Sequence, residues 1–233
     1  MFHVVLLSTS LGMGGADQQV IYLGHALLAK GYQVQIVSLT PLGQMGLEAQ
    51  AQGLPIQSLN MARGVPNMTS LLKLVNLLRT WQPQVLTTFM FHANIMGRIA
   101  GFFTKVPVIV SSIRNENFGG KNRDLLMRMT NWMDNVCTTN SHIVAHKLSK
   151  KQVVNKKKIK VITNGIFIDK YLKKQHINSK IRETLCIPDT AFIWLAVGRL
   201  REQKDYPNLL QAFSQLANPD TYLLIAGEGK LLS

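Results

Sequence analysis

The glycine-rich segment 11–17 is the first part of the sequence whose residue types indicate ligand binding. It joins an apolar, strand-like run to a helical pattern, so its glycines stand at a strand-to-helix turn. Glycine lets the backbone approach a ligand closely, and the amides at a helix N-terminus favour an anion. The same glycines also suit a tight turn that binds nothing. Asp17 fills the third glycine position of a dinucleotide-binding fingerprint, and no carboxylate ends the second strand, so a nicotinamide site is not expected.

His92 is a candidate acid–base or hydrogen-bonding group, because it follows the fourth strand-like run. In a parallel sheet that position is the carboxyl edge, where ligands bind. An imidazole there can bind or exchange a proton with a substrate, or it can cap the next helix or pack in the core. His142 and His146 lie four residues apart on a predicted helix, but two imidazoles without further ligands do not predict a metal centre.

Arg199 and Lys204 are two cations in a loop that follows a strand-like run ending at Gly198. The planar fork of Arg and the point charge of Lys suit a diphosphate, and the helix that begins behind them adds positive potential. A solvated basic loop is the alternative. The sequence contains no D-x-D pair, which argues against a metal-dependent nucleotide-sugar site built on that motif. It also contains no P-loop motif, which excludes a P-loop ATPase. Cys137 and Cys186 are not expected to be catalytic.

These candidates require an α/β framework, which the hydrophobic patterning predicts. Strands are predicted at 2–8, 33–39, 55–59, 84–89, 107–112, 135–139 and 159–162, and helices near 15–30, 68–81, 93–104, 121–133 and 141–150. Strands separated by single helices form a Rossmann-like parallel sheet with helices on both faces. A short helix near 178–185, a strand at 192–198, a helix at 206–217 and a strand at 221–226 predict the first βαβ of a second such domain.

Two local signals refine the first set of helices. Gly31 is a suitable residue to end the first helix, since glycine readily adopts the left-handed conformation. Asn67 can cap the helix at 68–81. The apolar face of that helix is predicted to contain five residues, which are Met68, Leu71, Leu72, Val75 and Leu78.

The positive charge is concentrated in one segment of the chain. The 233 residues carry a formal net charge of +14, and residues 147–182, from Lys147 through to Arg182, contain twelve basic side chains against one acid, Asp169. Such a segment attracts anionic lipid, nucleic acid or phosphorylated substrates, or it is a solvated surface. Nucleic acid is not expected, because only Phe167 and Tyr171 are available there for stacking. With neither a spanning apolar run nor a signal peptide, a cytoplasmic location is expected.

In combination, the motifs resemble those of the retaining GT-B glycosyltransferases of family four, the group 1 transferases of bacterial polysaccharide and lipopolysaccharide assembly. The likeness covers essentially the whole chain, and its motifs follow the family's order. They are Gly14-Gly15-Ala16-Asp17; His92-Ala93-Asn94 with Gly97-Arg98; Thr139-Asn140-Ser141 with Val161-Ile162-Thr163-Asn164-Gly165; and Gly198-Arg199 to Lys204 with Leu224-Ile225-Ala226-Gly227-Glu228-Gly229.

The resemblance implies roles for individual residues. Gly14, Gly15, Arg199 and Lys204 match the family's binding residues for the donor diphosphate, and His92 matches a histidine that contacts the transferred sugar and is the implied catalytic residue. Three further residues are implied contacts of the sugar or the acceptor, namely Asp17, which stands where the family more usually has Glu, Asn94 and Arg114. No metal and no other cofactor is expected, since the nucleotide sugar is a substrate.

The resemblance also implies a domain organisation and a function. An N-terminal acceptor-side domain is expected at 1–168, a basic linker at 169–190 and the start of an incomplete donor-binding domain at 191–233. The implied enzyme moves a sugar from a nucleotide sugar to a lipid-linked saccharide with retention, at the inner face of the membrane. This chain is expected to be an inactive fragment, because the family's acidic pair would lie beyond Gly229. The alternative is a non-catalytic module, derived from such an enzyme, that binds an acceptor or a membrane.

Overall fold

The chain folds into two compact units, Met1–Ile166 and Phe167–Ser233. A computed structural model describes residues 2–62, 67–115, 117–168, 179–216 and 218–229. The first unit is an α/β domain and the second is a smaller βαβ unit. Residues 169–178 of the predicted linker lie outside the described residues.

A seven-stranded parallel sheet forms the centre of the first unit, as the alternation of strands and helices predicts. The strand order is β3-β2-β1-β4-β5-β6-β7, so the order reverses between β1 and β4. The strands are β1 (His3–Ser8), β2 (Gln33–Ser38), β3 (Ile56–Ser58), β4 (Val85–Phe89), β5 (Val108–Ile113), β6 (Val136–Thr139) and β7 (Ile159–Val161). All seven predicted strands are therefore confirmed within one or two residues at each end.

Six α-helices connect these strands. They are α1 (Gly15–Ala29), α2 (Gln44–Ala51), α3 (Met68–Trp81), α4 (Phe91–Phe103), α5 (Lys121–Thr130) and α6 (His142–Lys150), with 3-10 helices at Asn131–Met133 and Lys156–Lys158. Helix α2 was not predicted, because it contains a glycine and several polar residues and has no apolar stripe. Gly31 follows α1 with φ of 80°, as expected of a helix-ending glycine. Within the described residues, no helix is long and apolar enough to span a bilayer.

The side chains of β1 alternate between two buried clusters on opposite faces of the sheet. Val5 and Leu7 pack with residues of α3 and α4, whereas Val4 and Leu6 pack with residues of α1 and α2. Because both faces are covered by helices, strands in this position are apolar along their whole length rather than alternately polar. The predicted doubly covered sheet is confirmed.

Helix α3 has the predicted cap, and its predicted apolar face is confirmed in part. The Asn67 side chain accepts a hydrogen bond from the Ser70 amide at 2.7 Å. Leu78 is buried, and Leu71 and Val75 pack partly buried against the core, whereas Met68 and Leu72 are 68% and 56% exposed. Ser70 and Leu74 are buried in addition. Leucine occurs on several sides of this helix, so periodicity alone did not decide which side packs on the sheet.

The second unit contains the predicted βαβ arrangement. Its elements are α7 (Ser179–Thr184), β8 (Phe192–Val197), a 3-10 helix at Glu202–Lys204, α8 (Tyr206–Ser214) and β9 (Thr221–Ala226). Strands β8 and β9 pair in parallel. Phe192, Trp194 and Leu195 of β8 remain 50–65% exposed, so this two-stranded sheet keeps much of its apolar surface in water.

A buried ion pair links helix α4 to the loop before β6. Arg98 is fully buried, and its Nη2 lies 2.5 Å from Oδ2 of Asp134, whose side chain is also buried. Nε of Arg98 also donates to Ser111, and Nη1 donates to the Met127 carbonyl. Lys158 adds a second cation, with its Nζ 3.3 Å from Oδ1 of Asp134. The charge of Asp134 is therefore shared between two basic residues from different elements.

Breaking this pair should destabilise the first unit strongly. Asp134→Asn or Arg98→Met should each lower the free energy of unfolding by about 3–5 kcal/mol, because either change leaves a buried charge without its partner. Urea denaturation followed by circular dichroism measures the change. Arg79→Met, at an exposed position near the end of α3, is the control and should have little effect. In the double variant Arg98→Met/Asp134→Asn, a loss equal to the sum of the single losses would contradict the coupling.

Candidate functional site

The predicted site residues of the first unit lie at the carboxyl edge of its sheet. The glycine-rich loop follows β1, His92 follows β4, and Arg114 follows β5. Strands β1 and β4 are neighbours and their connections leave on opposite sides, so the loops diverge and leave a crevice between them. The topology thus brings the glycine loop and His92 to the same part of the domain.

The glycine-rich loop is held in place by the carboxylate of Asp17. Oδ2 of Asp17 accepts hydrogen bonds from the amides of Gly12 and Gly14, both at 3.0 Å. The side chain is only 4% exposed. Asp17 therefore binds the loop itself, a role that differs from the sugar or acceptor contact implied by the resemblance. Its position in the first turn of α1 produces this arrangement, since the carboxylate reaches back to the residue that caps the helix.

Helix α2 supports the same loop through two close glycine contacts. A Cβ on Gly43 would lie 2.8 Å from the Cα of Gly12, and one on Gly46 would lie 2.9 Å from the Cβ of Leu11. The Gly46 amide also donates to the Leu11 carbonyl at 3.1 Å. By contrast, a Cβ on Gly15 would have no neighbour within 4 Å, so the loop is open at that residue. The sequence did not predict α2, so it did not predict these contacts with the glycine-rich loop either.

His92 lines a cavity of about 250 Å³ in the first unit. The imidazole is half-buried and contacts the Phe91 ring edge-on, with ring centroids 5.2 Å apart. Burial, and secondarily the positive charge of Arg123, lowers the pKa of His92 below its usual 6.5. His92 is therefore neutral at neutral pH and can both donate and accept a hydrogen bond. The other lining residues are Thr9, Met90, Phe91, Asn94, Ile113, Arg114, Asn115, Asn117, Phe118 and Arg123.

The backbone at the start of α4 is strained where it enters the cavity. Met90 has φ of 70° and ψ of 166°, a region that only glycine normally occupies. Several hydrogen bonds hold this conformation, including one from the Ala93 amide to Oγ1 of Thr9 at 3.1 Å. Asn94 accepts from Oγ1 of Thr88 at 2.7 Å and donates to the Ser112 carbonyl. Asn94 is fully buried, so its contacts position the helix start rather than present an exposed amide to an acceptor.

Two arginines line the cavity beside His92. Arg114 donates to Oδ1 of Asn164 and stacks over Phe89, with 5.7 Å from its Cζ to the ring centroid. Its Nε is buried and has no hydrogen-bond partner among the described residues. Burial lowers the pKa of Arg114 from its usual value. Arg123 stacks over Phe91 at 5.0 Å and donates to the Phe118 carbonyl at 2.9 Å. The sequence placed Arg114 here, but it gave no signal for Arg123, which belongs to the following helix.

Within the second unit, Arg199 and Lys204 are both exposed in the loop after β8. The loop is fixed by the buried Tyr206, whose hydroxyl donates to the Gly198 carbonyl at 3.1 Å. A Cβ on Gly227 would lie 1.8 Å from that carbonyl oxygen, so the loops after β8 and β9 are in direct contact. Both cations therefore lie at the carboxyl edge of the two-stranded sheet.

The other candidates from the sequence do not join these sites. His142 and His146 are both exposed on α6, and no group of three metal-ligating side chains occurs among the described residues. Cys137 is buried in β6, and burial, with the nearby Asp134 charge, raises the pKa of its thiol to about 12. A thiol with such a pKa is not a nucleophile at neutral pH.

Comparison with known families identifies the chain. The model for Glycosyltransferase Family 4 matches residues 13–170, and the model for Glycosyl transferases group 1 matches residues 177–233. The chain belongs to Glycosyltransferase Family 4. The resemblance stated from the motifs is thereby confirmed.

One curated relative of this glycosyltransferase chain is a galactosyltransferase. It is the UDP-Gal:alpha-D-GlcNAc-diphosphoundecaprenol alpha-1,3-galactosyltransferase of Escherichia coli, which is 27% identical over 184 residues. The match includes 72% of this chain and 46% of that protein. The chain thus spans about half the length of the curated relative.

Solved structures, a glycosyltransferase among them, have the same fold. HepE from Anabaena, in complex with UDP and glucose, superposes with a TM-score of 0.81 at 16% identity, over 98% of this chain and 62% of HepE. A glycosyltransferase from Rickettsia africae gives a TM-score of 0.76 at 16% identity, over 97% of this chain and 60% of that one. These likenesses confirm the GT-B fold class, while the roles of individual site residues stay predictions.

Protonation of His92 should respond to Arg123. In the wild-type chain the imidazole should titrate below pH 6.5 by NMR. Arg123→Gln should raise that midpoint without restoring 6.5, because burial is the larger cause. The stability that a neutral His92 contributes is present above pH 6.5 and is lost as the pH falls toward the lower midpoint of the folded protein. Lys121→Gln removes a charge from the same helix outside the cavity and should leave the midpoint unchanged. An identical midpoint in wild type and Arg123→Gln would contradict the electrostatic coupling.

Proposed function

We propose that this chain is part of a retaining glycosyltransferase that moves a sugar from a nucleotide-sugar donor to a lipid-linked saccharide. The supporting observation is that both family models match, one in each half of the chain, with the candidate residues at the carboxyl edges of the sheets. The galactosyltransferase relative takes a UDP sugar as donor and a diphosphoundecaprenol-linked sugar as acceptor. A corresponding place in cell-surface polysaccharide or lipopolysaccharide assembly is part of the proposal.

The donor diphosphate would be bound by fixed positive groups. When the bond from sugar to nucleotide breaks, negative charge grows on the leaving phosphate oxygens. The loop at Gly14 and Gly15 offers an unobstructed approach at Gly15 and the N-terminus of α1, which favours an anion. Arg199 and Lys204 would stabilise the charge as it develops, more in the transition state than in the ground state. With this charge neutralised by protein groups, we propose that no metal cofactor takes part.

His92 would contact the transferred sugar as a neutral imidazole. Its lowered pKa keeps it uncharged at neutral pH, so it does not repel the positive charge that develops on the sugar ring. The ring contacts Phe91 edge-on, and Arg123 is near enough for its charge to lower the pKa of the imidazole. A sugar hydroxyl could then exchange hydrogen bonds with it. We propose this positioning of the sugar as its catalytic role.

Substitutions test these roles in the natural protein that contains these residues. Arg199→Ala and Lys204→Ala should each lower kcat/KM on the order of 10²-fold, because a cation is removed from the leaving diphosphate. His92→Ala should lower kcat while leaving the circular dichroism spectrum unchanged. Arg201→Ala, an exposed basic residue of the same loop, is the matched control and should change kcat/KM by less than about threefold.

The measurement is sugar transfer from a panel of nucleotide sugars. Near-native rates in Arg199→Ala, Lys204→Ala and His92→Ala would contradict the assignment of the site. No transfer by the unaltered protein from any donor, with acceptor or membrane binding retained, would instead support the non-catalytic module. Assayed alone, the 233-residue chain is expected to be inactive, since it spans about half of the relative.

We further propose that the basic segment brings the enzyme to an anionic membrane surface, at the cytoplasmic face. Six lysines of the described part of this segment are exposed. Three of them lie close together in sequence, namely Lys156, Lys157 and Lys160, and the others are Lys147, Lys150 and Lys151 at the end of α6. Two other cations have internal partners. Lys158 binds Asp134, and Arg182 donates to the carbonyls of Pro188 and Ala191. The membrane-facing charge is therefore smaller than the sequence count for 147–182.

Binding to vesicles tests this part of the proposal. Lys156→Gln/Lys157→Gln should weaken binding to anionic vesicles roughly tenfold or more, since each lysine near the surface contributes about 1 kcal/mol. Co-sedimentation at low and high salt measures the effect, and high salt should remove it. Lys30→Gln/Lys73→Gln, two exposed lysines outside the segment, is the control with the same change in charge. Equal binding to neutral and anionic vesicles would contradict the electrostatic attachment.

A further inference from the structure

We propose that the cavity beside His92 binds an oxyanion of the acceptor, which Arg114 and Arg123 hold between them. The inference rests on the proposed function, since it names the chemical class of the acceptor group at that site. The ligand chemistry is a phosphate or a carboxylate attached to a sugar.

The described residues that line the cavity include positively charged side chains and no acidic one, and Glu116, between Asn115 and Asn117, lies outside the described residues. Of its eleven lining residues, two are arginines, and none of these described residues is acidic. No ion pair with either guanidinium occurs among the described residues. Arg123 is close enough to His92 for its charge to lower the pKa of the imidazole. An anion that enters would be attracted by both guanidinium groups.

Arg114 differs from Arg98 in how its guanidinium is satisfied. Arg98, which is fully buried, is bound by the Asp134 carboxylate and by the neutral oxygens of Ser111, Met127 and Thr130. Arg114 has one described side-chain acceptor, Asn164, and its buried Nε has none. A buried donor without a partner costs free energy, and a ligand that accepts its hydrogen bond removes this cost. Arg114 is thus held in place for an acceptor atom that the described residues do not supply.

The surroundings fix both guanidinium groups in advance. Arg114 is stacked over Phe89 and Arg123 over Phe91, and Arg123 is also bound to the Phe118 carbonyl. Such stacking leaves the edge of a planar guanidinium available for the oxygens of phosphate or carboxylate. The cavity of about 250 Å³ is slightly below the roughly 300–1,000 Å³ of sites for drug-sized ligands. It therefore suits one charged group with its sugar ring.

Binding of charged and neutral sugars to the 233-residue chain tests the inference directly. The probes are N-acetylglucosamine 1-phosphate against N-acetylglucosamine, and glucuronic acid against glucose, at constant ionic strength. The readout is the NMR signal of the His92 ring, which reports on this cavity and not on the lysine-rich segment. At least one charged sugar should bind roughly tenfold or more tightly than its neutral counterpart, because it makes charge-assisted hydrogen bonds to arginine. The pair that shows the difference identifies phosphate or carboxylate as the source.

Variants of the two arginines assign the effect. Arg114→Gln and Arg123→Gln should each remove most of the preference for the charged sugar. Arg114→Lys and Arg123→Lys keep the charge and should retain part of it, which separates loss of charge from loss of folding. Lys121→Gln should leave the preference intact. Equal binding of charged and neutral sugars, or an undiminished preference in both Gln variants, would overturn the inference.

The outcome is distinguishable from failure of the proposed function, because binding is measured without turnover. If a charged sugar binds through Arg114 and Arg123 while the natural protein transfers no sugar, the anion site is supported and the transferase proposal is contradicted. If the protein transfers sugar without any preference for the charged probe, the transferase proposal is supported and the anion site is contradicted.

Discussion

Helix α4 lies so close to the sheet that a Cβ at two of its glycines would crowd side chains of the strands. A Cβ on Gly97 would lie 2.3 Å from Cγ2 of Thr88, and one on Gly101 would lie 2.8 Å from Cδ1 of Ile109. This close packing buries the helix on nearly all sides, so Arg98, next to Gly97, has no route to water. An unpaired charge there would be very costly. Asp134 pairs with Arg98, and Lys158 in turn pairs with Asp134. The loop before β6 and the 3-10 helix at Lys156–Lys158 are thereby fixed relative to α4.

The same close approach determines the geometry of the candidate site. His92 lies in the first turn of α4, so the distance of this helix from the sheet determines where the imidazole lies. The strained Met90 is the point at which the chain leaves β4 and turns sharply into that helix. On the other side of the crevice, Gly43 and Gly46 let α2 support the glycine loop in a similar way. Both walls of the crevice thus depend on contacts that a single added methyl group would disturb.

The sequence predicts the elements of this fold better than their contacts. Strand positions and the cap at Asn67 were predictable because they depend on local residue types. The buried side of α3 depends on which leucines meet the sheet, and α2 depends on glycine contacts with a distant loop, so neither follows from periodicity. The spacing of Gly97 and Gly101, one turn apart on one face of a helix, is a signal of close packing that sequence reasoning could have used.

The sequence does not reveal which basic residues are paired inside the fold and which are not. A count of basic residues treats Lys158 and Arg182 as part of one surface segment, yet both bind internal oxygens. It treats Arg98 and Arg114 alike, although the first is neutralised by a buried carboxylate and the second keeps a buried donor without a partner. A cation that is paired inside the fold contributes to stability, whereas one that is fixed but unpaired is available to a ligand. The distinction depends on Asp134, which lies 36 residues from Arg98 in sequence and therefore becomes a neighbour only in the folded chain.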